Sequence, residues 1–108
     1  MASIIRGTTP VLKVRMPYEL SDLSQLFITF QQNRKTLFEK NKSDCFPIDN
    51  ENDNHVFGFR LTQEETLSLN KSYALYAQVL IKTNDQVIRA SKVFSDFDIE
   101  DRLKEEEI

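Results

Sequence analysis

The sequence predicts an all-β protein, an antiparallel β-sandwich of immunoglobulin-like size. Six or seven short segments of its 108 residues alternate apolar with polar side chains, and turn-forming residues separate them. Only one internal stretch carries the signals of a helix start, so the chain lacks the strand–helix alternation of a parallel sheet. A small barrel is the alternative architecture. With one cysteine and no tryptophan, the chain cannot hold the Cys–Trp–Cys core of antibody domains.

The opening stretch predicts how the chain enters its first strand. Residues 11–16 (VLKVRM) alternate apolar with basic side chains, the period-two pattern of a half-buried strand. Gly7 reaches positive φ at low cost, and Pro10 lacks a backbone N–H, which suits the start of a strand. We interpret Gly7 to Pro10 as a structural entry into this strand rather than as a ligand loop.

A hairpin follows in the prediction. Residues 25–32 (QLFITFQQ) are rich in aromatic and β-branched residues and form the second strand, and residues 36–40 (TLFEK) form the third. Residues 33–35 make the reversal, in which Asn33 tolerates left-handed backbone geometry. The polar region 41–55 is predicted to be a long loop.

The next segment contains the helix signal. Residues 56–61 (VFGFRL) alternate again, and Gly58 in their middle predicts a bulge or a close approach by another backbone. Thr62 and Glu65 have the spacing of a capping box, in which each side chain bonds a free backbone N–H at a helix start. We expect one helical turn over residues 63–67.

The last part of the chain predicts a second hairpin and a tail. Residues 72–82 are the longest strand candidate, and residues 87–94 (VIRASKVF) return as its partner after a turn. The end is expected to be a short helical or extended tail, loosely held. These elements divide the chain into an N-terminal arm (1–10), a sandwich domain (11–97) and an acidic C-terminal tail (98–108).

The charge distribution and the composition restrict the functional classes. Residues 1–43 carry seven Lys/Arg against three Asp/Glu (+4), and residues 44–108 carry seven against fourteen (−7). No basic stripe is evident, so nucleic acid is not expected as the main partner. The asymmetry could steer copies head to tail, although unrelated solvated faces are the more common cause of such a pattern. No apolar run approaches a membrane span, no signal-peptide pattern opens the chain, and the single cysteine fits folding in a reducing cytoplasm.

Candidate chemistry is sparse. His55 and Cys45 could be imagined as a catalytic pair, but nothing in their spacing orients a base, so no enzyme activity is predicted. Residues 49–54 (DNENDN) offer oxygen ligands for a cation but lack the glycine and the closing glutamate of an EF-hand, and a solvated loop is favoured. No zinc motif or phosphate loop is present, and we expect no cofactor. Most aromatic residues fall at strand spacing and are expected in the core.

Three segments carry a family resemblance. They are IIRGTTPVLKVRMPYELSDLSQLFITFQQ, LTQEETLSL and YALYAQVLIKTNDQVIRASKVFSDFDIED. Together they resemble small proteins of bacteriophages and prophages of Firmicutes, which share the IIRGTTP opening and the LTQE turn. The resemblance implies a virion-associated structural protein with an immunoglobulin-like sandwich and no catalytic residues. The chain departs from the family pattern in CFPIDNENDNHVFG, where a shorter DGN-type hairpin is expected, and in its heavily acidic KEEEI end.

These observations lead to a functional hypothesis. We expect a non-enzymatic virion component of the tail, baseplate, neck or capsid surface, made in the cytoplasm of the host bacterium, which contacts other virion proteins and copies of itself. A host-surface or carbohydrate-binding module and a small phage-encoded regulator of a host protein are the alternatives. The expected interface residues are apolar or tyrosine side chains in the arms, in a turn and on an outward strand face: Ile4, Ile5, Tyr18, Tyr76, Ile99, Leu103 and Ile108.

Overall fold

The computed structural model describes residues 2–51, 54–91, 93–95 and 97–101. These residues form nine strands: β1 (Ala2–Ile5), β2 (Val11–Met16), β3 (Leu23–Gln32), β4 (Lys35–Asn41), β5 (Cys45–Glu51), β6 (Asn54–Arg60), β7 (Tyr76–Thr83), β8 (Ile88–Ala90) and β9 (Phe97–Glu100). One α-helix, α1 (Gln63–Leu67), joins β6 to β7. Two 3-10 turns, Leu20–Asp22 and Lys42–Asp44, precede β3 and β5.

The strands form two antiparallel sheets that pack as a sandwich. The three-stranded sheet has the order β2-β6-β5, and the four-stranded sheet has the order β4-β3-β7-β8. These orders match the B-E-D and C′-C-F-G strands of immunoglobulin domains. A small third sheet pairs β1 with β9 in parallel. The predicted all-β antiparallel sandwich is confirmed.

The core lies between the two sheets and consists of the alternate side chains that the strand patterns place on one face. The strand residues buried there are Leu12, Met16, Leu23, Leu26, Ile28, Phe30, Phe57, Phe59, Ala77, Val79 and Ile81. The Phe30 ring lies at the centre of an aromatic group, stacked on Phe38 at 4.7 Å and tilted against Phe59 at 6.0 Å between ring centroids. Burial of these side chains is the main force that holds the sheets together.

The β3–β4 hairpin turns in two residues. Gln32 pairs with Lys35, and Asn33 and Arg34 both have positive φ (49° and 63°). Two successive positive φ angles are typical of a type I′ turn, whose twist matches that of the flanking strands. The predicted reversal and the role of Asn33 are confirmed.

Helix α1 begins as the sequence predicts, at a capping box. The Thr62 side chain accepts from the Glu65 amide at 3.1 Å, and the Glu65 carboxylate accepts from the Thr62 amide at 2.8 Å. The fully buried Thr66 then binds the chain entry: its hydroxyl accepts from the Gly7 amide at 3.0 Å and donates to the Thr8 carbonyl at 2.7 Å. Gly7 has φ 79°, so the structural role of this entry is confirmed.

Gly58 marks a close approach, made by side chains and not by another backbone. A Cβ atom at this position would lie 2.7 Å from Ile48 Cδ1 and 3.1 Å from the Phe46 ring. Both residues belong to β5, which pairs with β6 in the region 41–55. The predicted loop is therefore wrong in this region. The polar composition of this region suggested a loop, but β5 is an edge strand, and edge strands tolerate polar side chains and a proline such as Pro47.

The second hairpin is shorter than predicted. Strand β7 begins at Tyr76 and not at residue 72 as predicted, so Tyr73 lies outside it with an exposed side chain. Strand β8 ends at Ala90. Next to it, the Ser91 hydroxyl oxygen accepts a hydrogen bond from the Val79 amide at 2.9 Å, in the place of a backbone carbonyl. Phe94 returns to the sheet through a single bridge to Ala77.

The chain ends correct another expectation. Strand β1 lies parallel to β9, and Ile4 of β1 is fully buried in the core. The expectation of a loosely held tail (98–108) is therefore wrong over residues 98–101, and Ile4 of the predicted N-terminal arm (1–10) belongs to the core rather than to an interface. The physical reason is non-local pairing: Ile4 and Ile99 are register partners although 95 positions separate them.

Candidate interaction surfaces

The outer face of the four-stranded sheet carries a row of apolar side chains. Phe27 of β3 pairs with Leu80 of β7, and Leu80 pairs with Ala90 of β8, so the three lie side by side on one face. Ile88 stands on the same face two residues from Ala90 and is 65% exposed. We call these four residues the outer row.

The outer row includes exposed apolar side chains, and covering them with a partner would be favourable. Leu80 is 42% exposed and Phe27 is half-buried. Tyr76 and Val93, which lie together near the start of β7, are also exposed. Contiguous apolar side chains on a sheet face are typical of protein–protein interfaces, where tyrosine is also enriched. The row therefore marks a candidate docking face.

A second feature lies at the edge of the sandwich where β2 faces β8. The two sheets leave a groove of about 520 Å³ there. The residues that line it come from β2, from the turn after it, from β7 and from the β8 region: Val14, Arg15, Met16, Pro17, Tyr18, Val79, Ile81, Arg89, Ala90, Ser91 and Phe94. We call this cavity the edge groove.

The edge groove is apolar inside and basic at its rim. Val14, Val79 and Ile81 provide apolar walls, whereas Arg15 and Arg89 are its charged members. Arg89 pairs with the inward-facing Ile81, so it occupies a core-side position on an edge strand and is nevertheless exposed. Among the described residues that line the groove there is no carboxylate. Arg89 makes no ion pair with a described residue, so an acidic partner is favoured electrostatically at its side of the groove.

Strand β2 presents its backbone at the same edge. It has one neighbour in its sheet, β6, and the Leu61 amide donates to the Pro10 carbonyl at 2.9 Å. In an antiparallel ladder, the backbone N–H and C=O groups of every second residue point toward the partner strand. Because the Pro10 carbonyl points toward β6, the peptide groups of the even-numbered residues of β2 do so as well. The peptide groups of Val11 and Lys13 therefore point away from the sheet, as the groups of an edge strand do.

The structure separates the expected interface residues. Tyr76 and Ile5 are exposed, and Tyr18 is half-buried in the wall of the edge groove. Ile99 is half-buried and packs against the core, and Ile4 is buried and cannot reach a partner. Leu103 and Ile108 lie outside the described residues.

The sequence predicted Tyr76, on the outward face of β7, as an interface residue, but none of the four residues of the outer row. The alternation of β7 placed Tyr76 and Leu80 on the outward face. Phe27 and Ile88 were missed as interface candidates because the strand register, which brings them beside Leu80, is set by non-local pairing. The edge groove has no local sequence signal, since it is the space between two edge strands.

The single cysteine lies in a partly buried position at the start of β5. Burial, with the nearby Asp44 carboxylate, raises the pKa of the Cys45 thiol to about 11, which favours an unreactive protonated form at neutral pH. Its Sγ donates to the Asn41 carbonyl at 3.4 Å. Within the described ranges, no group of three or more His, Cys, Asp or Glu side chains is placed to hold a metal ion. The side chains of the predicted 49–54 oxygen cluster lie outside this description.

Comparison with known proteins adds no identity. No protein-family model matches the chain, and no curated protein matches it significantly in sequence. None of the helices in the described part of the chain is long and apolar enough to span a bilayer.

Proposed function

We propose that this protein is a non-enzymatic structural or assembly component of a bacteriophage virion, which acts through contacts with other virion proteins and with copies of itself. The outer row is the observation that carries the proposal. It leaves Leu80, Ile88 and Ala90 of two adjacent strands exposed on the four-stranded sheet, beside the half-buried Phe27 of β3. A multi-copy assembly provides partners that cover such a face.

The chemistry of the face supports a protein partner over a small ligand. Around the outer row lie uncharged and charged polar side chains, such as Thr29, Gln78 and Lys82, arranged as a polar rim around an apolar centre. This arrangement is typical of protein interfaces. The resemblance of the IIRGTTP opening and the LTQE turn to phage proteins supplies the virion setting.

The test is mass spectrometry of purified particles from a phage or prophage that encodes the chain. We expect the protein in the particles, at a copy number that matches a symmetry of the capsid, neck or tail. Leu80→Lys with Ile88→Lys should abolish incorporation while the purified protein stays folded by circular dichroism. Phe46→Lys, a similarly exposed site on the other sheet, is the matched control and should be incorporated normally.

Three results would contradict the proposal. Absence of the protein from particles, together with a stoichiometric complex with one host protein, would indicate a regulator. A specific signal on a glycan array would indicate a carbohydrate-binding module. Normal incorporation of the double variant would show that the outer row is not the docking face.

A further inference from the structure

We infer that the edge groove receives residues 102–108 of a second copy of this chain, which add as a strand along β2. The inference deepens the proposed function and rests on it for its biological setting, but the contact itself is a property of the purified protein. Four features support it: the open backbone of β2, the apolar floor of the groove, the charge at its rim, and the exit point of the tail.

The backbone of β2 is suited to strand addition. The peptide groups of Val11 and Lys13 face away from β6, and β2 has no second neighbour among the described strands. An extended peptide that binds such an edge gains main-chain hydrogen bonds, and its alternate side chains enter adjacent pockets. The edge groove is such a pocket further along the same strand, because residues 14–16 of β2 line it.

The floor and the rim of the edge groove match the sequence of the tail. In an extended segment, Leu103, Glu105 and Glu107 share one face. That face offers one apolar side chain for the Val79 and Ile81 wall and two carboxylates for the rim that contains Arg89. A partner of this kind removes apolar surface from water and pairs opposite charges in the same contact.

The exit point of the tail favours a neighbouring copy over the tail's own groove. The groove is lined by the second half of β2 and the turn after it, from Val14 to Tyr18. Asp101 lies instead with Leu67 and Lys71, in the region that follows α1. Asp101 is fixed beyond β9 by ion pairs to Arg6 at 3.0 Å and to Lys71 at 3.2 Å. The seven residues that follow span at most about 23 Å when extended, which is sufficient to lie along a six-residue strand such as β2.

Sedimentation velocity of the purified full chain at increasing concentration is the experiment. We expect the full chain to self-associate. Its affinity for itself should fall roughly tenfold or more when residues 102–108 are deleted, or when Arg89→Glu reverses the charge at the groove rim. Replacing Glu105, Glu106 and Glu107 by lysine in the Arg89→Glu background should restore association. Lys35→Glu, which reverses an exposed charge on the distant edge strand β4, is the matched control and should not change it.

A peptide assay covers the case in which Arg89→Glu fails to fold. A labelled peptide of residues 98–108 should bind the chain that ends at Asp101, and binding should weaken with salt. A chain that is monomeric at all concentrations, association that persists without residues 102–108, or a groove that binds only the strand of a different protein would overturn the inference. If the protein is found in particles but its self-association does not depend on residues 102–108, the inference fails and the proposed function stands. Tail-dependent association in a protein absent from particles would overturn only the proposed function.

Discussion

The two edges of the sandwich are closed in different ways. At one edge, β4 passes directly to β5 through the turn Lys42–Asp44, so the chain itself joins the two sheets. Two lysines complete the closure: Lys42 donates to the Leu23 carbonyl at 2.7 Å, and the buried Lys40 pairs with Glu65 at 2.6 Å. At the other edge, β2 and β8 have no such connection, and the edge groove lies between them.

The open edge is filled in part by the ends of the chain. Ile4 of β1 is fully buried in the core, and the Phe97 ring of β9 lies 5.9 Å from the ring of Phe94, which lines the edge groove. The difference shows that one edge is finished by covalent connection and buried charge, whereas the other uses non-local strand pairing and keeps room for a further strand. Structural and interaction roles are thereby assigned to opposite sides of one small domain.

The largest expected loss of stability comes from removing a core side chain of β1. Ile4→Ala should lower the free energy of unfolding by about 3 kcal/mol, because it removes a fully buried side chain and leaves a cavity. Ile5→Ala, on the exposed side of the same strand, should cost less than about 1 kcal/mol. Urea denaturation of both variants measures the difference. Equal and small losses would mean that β1 is not part of the folded body.

The next largest loss of stability is expected from removing the Lys40–Glu65 ion pair at the closed edge. Lys40→Ala should cost about 2 kcal/mol, because it leaves the half-buried Glu65 carboxylate without its cation while that carboxylate still caps α1. Lys35→Ala, at an exposed position of the same strand, is the control and should be near neutral. If the two variants unfold at the same urea concentration, the Lys40–Glu65 pair does not close this edge.

A third variant tests the anchor between α1 and the entry to β2. Thr66→Val should cost about 1.5 kcal/mol, because the Gly7 amide and the Thr8 carbonyl lose their hydroxyl partner. In hydrogen-exchange measurements, the Gly7 amide should lose protection. Thr9→Val changes an exposed side chain nearby and should leave both quantities unchanged. Unchanged protection of Gly7 in Thr66→Val would contradict this role.

The smallest effect concerns the ion pairs at the end of β9. Hydrogen bonds from Arg6 and Lys71 hold the pKa of the Asp101 carboxyl below its usual value. A depressed pKa stabilises the fold above the unfolded-state value, and this contribution is lost as the pH falls through the folded-state pKa. In an NMR titration, Arg6→Gln should move the pKa of Asp101 back toward its usual value. An unaltered titration would show that Arg6 does not hold this carboxylate.

Local sequence patterns predicted the sandwich and several of its elements. The alternation of residues 11–16 matches β2, and the Thr62–Glu65 spacing predicted the start of α1. These signals are local, since period-two burial and capping depend on neighbouring residues. The patterns failed where stability comes from distant partners. Residues 45–51 are too polar to read as a strand, yet they pair with β6.

The candidate surfaces divide in the same way. The outward face of β7 was evident from alternation, so Tyr76 and Leu80 were recognised together. The buried state of Ile4 was not, because its partners lie at the other end of the chain. The edge groove depends on which strands end each sheet, a property of the whole topology.

Amide hydrogen exchange of the full chain, followed by NMR at low and high protein concentration, tests the central claim most directly. The Arg6 amide, which donates to the Glu100 carbonyl at 2.8 Å, should be protected at every concentration because β1 belongs to the monomer. The Lys13 amide on the open side of β2 should exchange quickly in dilute protein and gain protection as the concentration rises. An Arg6 amide that exchanges freely, or a Lys13 amide whose exchange is the same at all concentrations, would contradict the account.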